Sequence, residues 1–424
     1  MTADEHESGA AQQRQAELRA IRDRKGDVRI VPDVEGRYRA LGPASRDPFA
    51  NWLTPVEEHY VLHRHDTPAI DADSWTVSLR GDVDDAELGV EDLRSEYPTV
   101  AVPHTMECAG NCRAFFEPKA SNVDWEVDGA STAFWTGVPL QSVLDAHGAA
   151  SADGTWLTAI GGDTATDGDV FARSIPMAKA RADCILAFGM NGQPLPEEHG
   201  FPVRLLVPGW YGVNSVKWLD ELRVMDKMVC GPEWDERRDG EDYYTQWQQR
   251  NYRIVPEGEE PSPNESISEF DTWEQLVGDE VAHPYTYDVN VKSVIGYPDE
   301  GAEVTPRRDG TVEVLGVAWA GDDEVTTVEV SADGGETWSG ARFMEPHFPN
   351  AWRLFRFCWE PAPGTYELLS RATDDRGRTQ PASIGDPEDG FDALDDDEYP
   401  WNQGGYAANA YEPLGVSVTV EKSE

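Results

Sequence analysis

The chain has 424 residues, more than one compact core accommodates, so two or three domains are expected. With 35 Lys and Arg against 80 Asp and Glu the formal charge is −45, a field that repels nucleic acid and anionic membranes. An aromatic content of 10% excludes a disordered chain, and the longest run free of charge and His, Gly129–Leu144, is too short and too polar to span a membrane.

An acid excess of this size opposes folding through self-repulsion. Salt relieves it, since the Debye length falls to about 3 Å near 1 M, and the composition reads as halophilic. The opening residues, MTADEHESGAAQQRQAELRAIRDRKGD, contain no apolar signal region and no twin-Arg pair, so a cytoplasmic protein is expected. Five cysteines, Cys108, Cys112, Cys184, Cys230 and Cys358, are too few and odd in number for a disulfide framework.

Residues 1–45 read as a polar tail that frays or forms a loose helix. Residues 46–230 alternate strand and helix patterns. Ser74–Gly81 is predicted as a strand and Val90–Pro98 as a helix stopped by proline. Val138–Ala149 places Leu140, Val143 and Leu144 at helical spacing before Gly148, and Phe201–Gly209 is an apolar run of strand length. This part is expected to be a mixed α+β domain. In residues 231–284 two charged, Pro-rich pieces flank YYTQWQQRNY, which predicts a linker carrying an aromatic clamp over the first domain. From residue 285 to 424 strands follow one another: Thr311–Gly321, Val325–Gly335, Ala351–Pro361, Thr365–Asp375 and Leu414–Val420. Their alternation and the Gly-Asp-Asp, Asp-Gly-Gly and Pro-Gly turns predict an immunoglobulin-like β-sandwich.

The sequence lacks GxxxxGK[ST], GxSxG, HExxH and CxxCH, which sets aside the phosphate loop, the nucleophile elbow, the zinc helix and covalent haem attachment. Two segments carry chemistry. In TMECAGNCRAFFEP, Cys108 stands on small, flexible residues, and Arg113 follows five positions on. A cysteine there is either a small buried hydrophobe or a thiolate open to a metal. Cys112 has no second pair at zinc-ligand spacing and is read as packing. In MNGQPLPEEHGFPVRLLVPGWYGVNSVKWL, His199, Arg204, Asn214, Ser215 and Lys217 lie in apolar, Gly-rich sequence. They suit either an anionic ligand or structural ion pairs with the abundant carboxylates.

Taken together with the SIPMAKA run (Ser174–Ala180), YYTQWQQRNY and VEVSADGGETW, and in this order, these segments make residues 52–420 resemble the sulfite oxidase family of molybdopterin-dependent oxidoreductases. The resemblance implies an α+β molybdopterin-binding domain followed by an immunoglobulin-like dimerisation domain, and hence a homodimer. It implies that Cys108 is the metal ligand, since a soft thiolate suits molybdenum. It implies that the molybdenum–molybdopterin cofactor is held by His65, Cys108, Asp163, His199, Arg204, Asn214, Ser215 and Lys217. It places Cys108, Arg113, His63 and Arg64 at the reaction, with a small oxyanion as substrate.

The chain departs from the family pattern at three polar positions. An Arg-Asn-His segment becomes His63-Arg64-His65, the Tyr expected before Ser-Ile-Pro is Phe171, and Trp401-Asn402 is followed by Gln403 where the oxidases carry Arg. The cofactor site is thus better kept than the substrate site. The expected activity is two-electron oxygen-atom transfer at sulfite or a related oxyanion, with no haem and a separate electron acceptor. The alternatives are reduction of S- or N-oxides on the same scaffold and a cofactor-binding dimer without sulfite turnover.

Overall fold

The structure, a computed structural model, describes residues 3–33, 38–120, 122–164, 170–229, 248, 251–261, 267–278 and 281–422. Cys230 and the charged piece EWDERRDGED lie outside the described residues.

The N-terminal region is not a tail. Ala3–Arg24 is helical, and Leu18 and Ile21 bury against Val28, Leu41 and Val61. Val28–Ile30 and Arg39–Pro43 then form a three-stranded antiparallel sheet with Val61–His63. Glu17 fixes the helix by accepting from Arg39 Nε at 2.9 Å and from the Thr67 amide at 2.9 Å. Strands of three to five residues flanked by charge carry almost no periodicity, which is why they do not show in the sequence.

The first domain has two five-stranded sheets. One is antiparallel, ordered Gln193–Pro194, Ile185–Met190, Ala130–Pro139, Val100–Glu107, with Arg204–Leu206 also pairing Ile185–Met190. The other runs Ala86–Gly89, Thr76–Gly81, Leu219–Met225, Trp156–Thr164, Val170–Pro176, and is mixed because Thr76–Gly81 and Leu219–Met225 are parallel. Helices Val90–Glu96, Leu140–Ala146 and Met177–Ala182 bury Leu93, Leu140, Val143, Leu144 and Met177 in the core between the sheets. The apolar run predicted over 201–209 yields only the short strand Arg204–Leu206, because the chain then turns to build the site described below.

The second domain is the expected sandwich. Its four-stranded sheet is Lys292–Tyr297, Val312–Trp319, Arg353–Trp359, Arg342–Phe343. Its five-stranded sheet is Ala302–Val304, Val416–Val420, Gly364–Asp374, Val325–Ser331, Ser339–Gly340. Alternate residues Val314, Phe355, Val328, Val330, Leu368 and Val418 fill the space between them. Within the described part of the connecting segment, Thr272–Val277 is a helix capped by the Asp271 carboxylate, which accepts from the Glu274 amide at 2.9 Å. Asp271, Asp288 and Asp323 converge closely enough for a cation. Arg376 and Arg378 already pair with Asp271 and Asp323, so the cluster is an ion-pair network tying this segment to the sandwich. Among the described residues no helix is long and apolar enough to cross a membrane.

Candidate active site

Strand Val100–Glu107 pairs along its whole length with Ala130–Pro139 and stops at Glu107, so Cys108 stands at the end of a fixed element. The turn after it is closed by Asn111 N donating to Cys108 O at 2.9 Å and by Arg113 N donating to Gly110 O at 3.1 Å. Cys108 N donates to Gly129 O at 2.8 Å, and Cys112, at φ 74°, donates to Glu126 O at 2.7 Å. Burial raises the Cys108 thiol pKa, and the Arg113 guanidinium opposes the rise. A thiol in such surroundings ionises when a metal coordinates it.

Beside it, the buried Glu107 carboxylate is a junction between the domains. It accepts from Lys292 Nζ, from Trp319 Nε1 at 2.8 Å and from Asn111 Nδ2 at 3.0 Å. Lys292 Nζ also reaches Cys112 Sγ at 3.5 Å. Cys112 is therefore more than packing: it belongs to the polar anchor of the cysteine turn.

Cys108 opens onto a cavity of roughly 800 Å³, counting its mouth, whose wall also holds His63, Arg64, Asp163, His199, Arg204, Ser215 and Lys217. Eight of the predicted site residues thus converge. Three others do not line it. His65 stands behind Asp163, its Nδ1 3.1 Å from Oδ2. Asn214 donates to Tyr211 O at 3.0 Å and Thr286 O at 3.3 Å, which fixes the turn beneath Ser215. Arg113 donates to Gly404 O at 2.7 Å and Val123 O at 2.8 Å and lies over the Tyr406 ring. It braces the cysteine turn and does not line the cavity with the other eight.

His63 also differs from expectation. Its Nε2 bonds Glu198 O at 2.8 Å and its Nδ1 is 3.3 Å from Thr67 Oγ1. Burial, reinforced by Lys217, drives its pKa well below the usual histidine range. It is a neutral ring with both nitrogens engaged and cannot replace the charge of an arginine.

Cations crowd the wall. Arg204 Nη1 donates to His199 O at 2.9 Å and Nη2 to Ser215 O at 2.8 Å, while Nε is buried with no partner among the described residues. Burial pulls Arg204 down to about 10. Lys217 Nζ donates to Leu62 O at 3.1 Å and Glu198 O at 2.8 Å, and burial together with Arg204 lowers its pKa strongly. Ser215 Oγ accepts from the Val207 amide at 3.0 Å, leaving its hydroxyl proton free to face the cavity. A guanidinium and an amine held against one another away from water regain charge and partners when an anion binds.

Tyr38, Tyr60, Phe171 and Tyr252 complete the wall. Tyr252 comes from YYTQWQQRNY, stacks on Tyr406 with centroids 5.2 Å apart, and lies under the Arg173 guanidinium at 4.7 Å. The same guanidinium covers Phe171 at 4.5 Å. The phenol expected to be lost at Phe171 is thus supplied from another segment, and the aromatic run that signalled a clamp was the clue to it. Gln248 of that run holds Ser174 by both its amide N and its carbonyl O. Gln403, at the position of the absent arginine, is outside the cavity and donates to Pro256 O and Glu259 O at 2.7 and 2.9 Å.

Comparison with known proteins gives the chain its family. The oxidoreductase molybdopterin binding domain matches residues 64–232, and the Mo-co oxidoreductase dimerisation domain matches residues 283–386. Sulfite oxidase of Gallus gallus is 31% identical over 367 residues, 82% of this chain and 73% of that protein. The chain belongs to the sulfite oxidase family. Nitrate reductase [NADH] 2 of Phaseolus vulgaris is 30% identical over 375 residues, 82% of this chain but 39% of that protein. The sulfane dehydrogenase SoxCD from Paracoccus pantotrophus superposes with a TM-score of 0.66 at 25% identity, over 91% of this chain and 87% of that one. The chain spans about two thirds of the length of the mammalian sulfite oxidases it matches.

The residues fit the family's cofactor. One sulfur faces the cavity for a metal. Arg204, with an unpartnered buried Nε, and Lys217 offer charge to a phosphate, and Asp163 and Ser215 offer polar contacts to a pterin ring.

Proposed function

We propose that this chain is a molybdenum-cofactor oxidoreductase that transfers two electrons and one oxygen atom at a small oxyanion, with sulfite as the first substrate to test. The observation that carries the reading is the presence of Cys108, Arg204, Lys217 and His199 in the wall of one cavity. Sulfite and water give sulfate, two protons and two electrons, and the electrons leave to a separate acceptor. The bound cofactor supplies the oxygen-atom and two-electron chemistry. Of the chain's own residues, Cys108 holds and tunes the metal, and Arg204, Lys217, His199 and Ser215 fasten the phosphate and pterin. Asp163, fixed by His65, orients the ring. Arg64 and Tyr252 hold the substrate, the first by charge and the second by a phenol hydrogen bond. The sandwich makes the dimer, and the acid excess suits a salt-rich compartment.

A second reading is favoured by one observation. His63 is neutral with both nitrogens engaged and Arg113 is tied to carbonyls, so the cavity offers a dianion less charge than the family pattern provides. Reduction of a less charged substrate, an S- or N-oxide or nitrate, fits that wall. The test uses full-length protein from a molybdate-competent host. Elemental and pterin analysis comes first, followed by dye-coupled assays with sulfite, nitrate and a sulfoxide in high salt. Molybdenum, pterin and sulfite-driven dye reduction support the first reading. Loaded protein that oxidises reduced dye with an oxide establishes the second, and loaded protein silent toward all three is a cofactor-binding dimer. Absence of both molybdenum and pterin overturns the whole assignment.

A further inference from the structure

Among the charged groups that the site's chemistry does not yet use, one comes from far away in the sequence. Lys25 follows the N-terminal helix Ala3–Arg24, where the chain is pinned by Lys25 N donating to Arg22 O and Gly26 N donating to Glu57 O, both at 3.0 Å. Its ammonium donates to Val56 O at 2.9 Å and stands 3.2 Å from His199 Nε2. Arg24 reinforces the placement, 3.7 Å from the Glu198 carboxylate beside that histidine.

An ammonium has three donors and no acceptor. The His199 nitrogen facing it must therefore be the acceptor. His199 is 1% exposed, and burial, followed by the neighbouring charge of Lys25, keeps the ring neutral. A neutral imidazole carries one proton, so it resides on Nδ1. Nδ1 has no hydrogen-bond partner among the described residues and is not closed off by the surrounding side chains. The small surface His199 retains is its face in the cavity wall, beside Arg204 and Lys217.

We propose that Lys25 is a positioning residue for the cofactor. By donating to His199 Nε2 it selects the Nδ1–H tautomer, so that His199 presents an N–H donor to an anionic oxygen of the bound group, the phosphate monoester of the pterin. The N-terminal segment is then part of the binding machinery. This rests on the functional reading above for the ligand, but the tautomer is a property of the protein alone.

The charge state of Lys25 gives a second readout. Burial lowers its pKa to about 8, against the pull of Glu198, Glu57 and Glu58 and with the push of Arg24. His59 and Lys217 also feel its charge, and both are themselves held toward neutrality by burial. A bound phosphate favours the ammonium, so the group's pKa is higher in the loaded protein. Affinity tied to this proton is full below about pH 8 and declines as pH rises through the loaded value.

The experiment compares wild type with Lys25→Met and Lys25→Arg, all full-length and expressed in a molybdate-competent host. The ¹⁵N shifts of the histidine rings report the tautomer, with the His199 signals assigned by their loss in His199→Gln. Pterin per chain is measured after gel filtration at pH 7 and pH 9. In wild type the Nδ1–H form is expected. In Lys25→Met the ring should move to Nε2–H or a mixture, and pterin retention should fall roughly tenfold at pH 7. Lys25→Arg should restore both at pH 7 and keep the pterin at pH 9, where wild type loses it. A wild-type ring protonated at Nε2 overturns the proposal without any variant. So does a Lys25→Met protein with unchanged tautomer and full pterin. Wild type that never loads pterin overturns instead the functional reading, while its ring shifts still judge Lys25.

Discussion

The contact between Lys292 and Glu107 is the most exposed to experiment of all the interactions that hold the site. Both side chains are 1% accessible, and they join strand Lys292–Tyr297 of the sandwich to the end of the strand that carries Cys108. Burial works against the Lys292 ammonium, but Cys112 and Glu107 outweigh it and raise its pKa, so the ammonium is the resident form. Lys292→Met removes one charge and leaves the Glu107 carboxylate with only Trp319 Nε1 and Asn111 Nδ2 as donors. Breaking a buried pair from one side costs about 3–5 kcal/mol, because an uncompensated charge stays behind. Lys292→Met with Glu107→Gln removes both charges, and the recovery relative to the sum of the single changes should reach about 1–3 kcal/mol. The assay is denaturant unfolding in high salt, read from the first transition because two domains need not unfold together. In loaded protein the same variant should disturb the thiolate-to-metal absorption, since Glu107 precedes Cys108. A Lys292→Met protein destabilised by less than about 1 kcal/mol, with singles that add, would refute the idea that this pair couples the sandwich to the cysteine turn.

Cys108→Ser should fold and keep pterin while losing the thiolate-to-metal absorption and turnover; an unchanged spectrum removes Cys108 as the ligand. Arg204→Ala takes away a charge-assisted donor worth about 1.5–3 kcal/mol, so pterin retention after gel filtration should drop tenfold or more. Tyr252→Phe should leave pterin content intact and lower turnover with whichever substrate the enzyme accepts, while Phe171→Tyr changes little, because the cavity already holds its phenol; the opposite pattern returns the substrate role to position 171. The melting temperature should climb as KCl rises from about 0.1 to 2 M, where screening shortens to a few ångströms; a flat response would mean that the carboxylates are already paired or too far apart to repel.

The sandwich was legible because its strands alternate. Val314, Phe355, Val328 and Leu368 fall on one face of period-two runs, and the turns between them are marked by Gly and Asp. The basic cluster was legible only through the family resemblance: locally, an Arg and a Lys in apolar, Gly-rich sequence suit structural ion pairs as well as an anionic ligand. What was not legible needed the third dimension. Whether Arg113 faces a ligand or a carbonyl depends on Gly404, nearly three hundred positions away, and His63 loses its second nitrogen to Thr67 and its first to Glu198 O. The strands at Val28–Ile30 and Arg39–Pro43 exist because Leu18, Ile21 and Val61 give them a small core, a long-range fact that no local window contains. Lys25 was invisible for the same reason, as one more cation in a polar stretch.

Charge ties these features together. A chain of −45 must bring an anion to a cavity walled by Arg64, Arg204 and Lys217 and backed by Lys25. The surface carboxylates lie in water, where screening acts on them fully, whereas Arg204, 1% exposed, is screened far less. Raising the salt therefore removes the repulsion an anion meets on approach before it weakens the attraction it meets on arrival. Where surface and site share a sign, salt slows capture of the ligand. Here the two have opposite signs, so capture of an anion by this cavity should quicken with salt over the range in which the melting temperature is expected to climb.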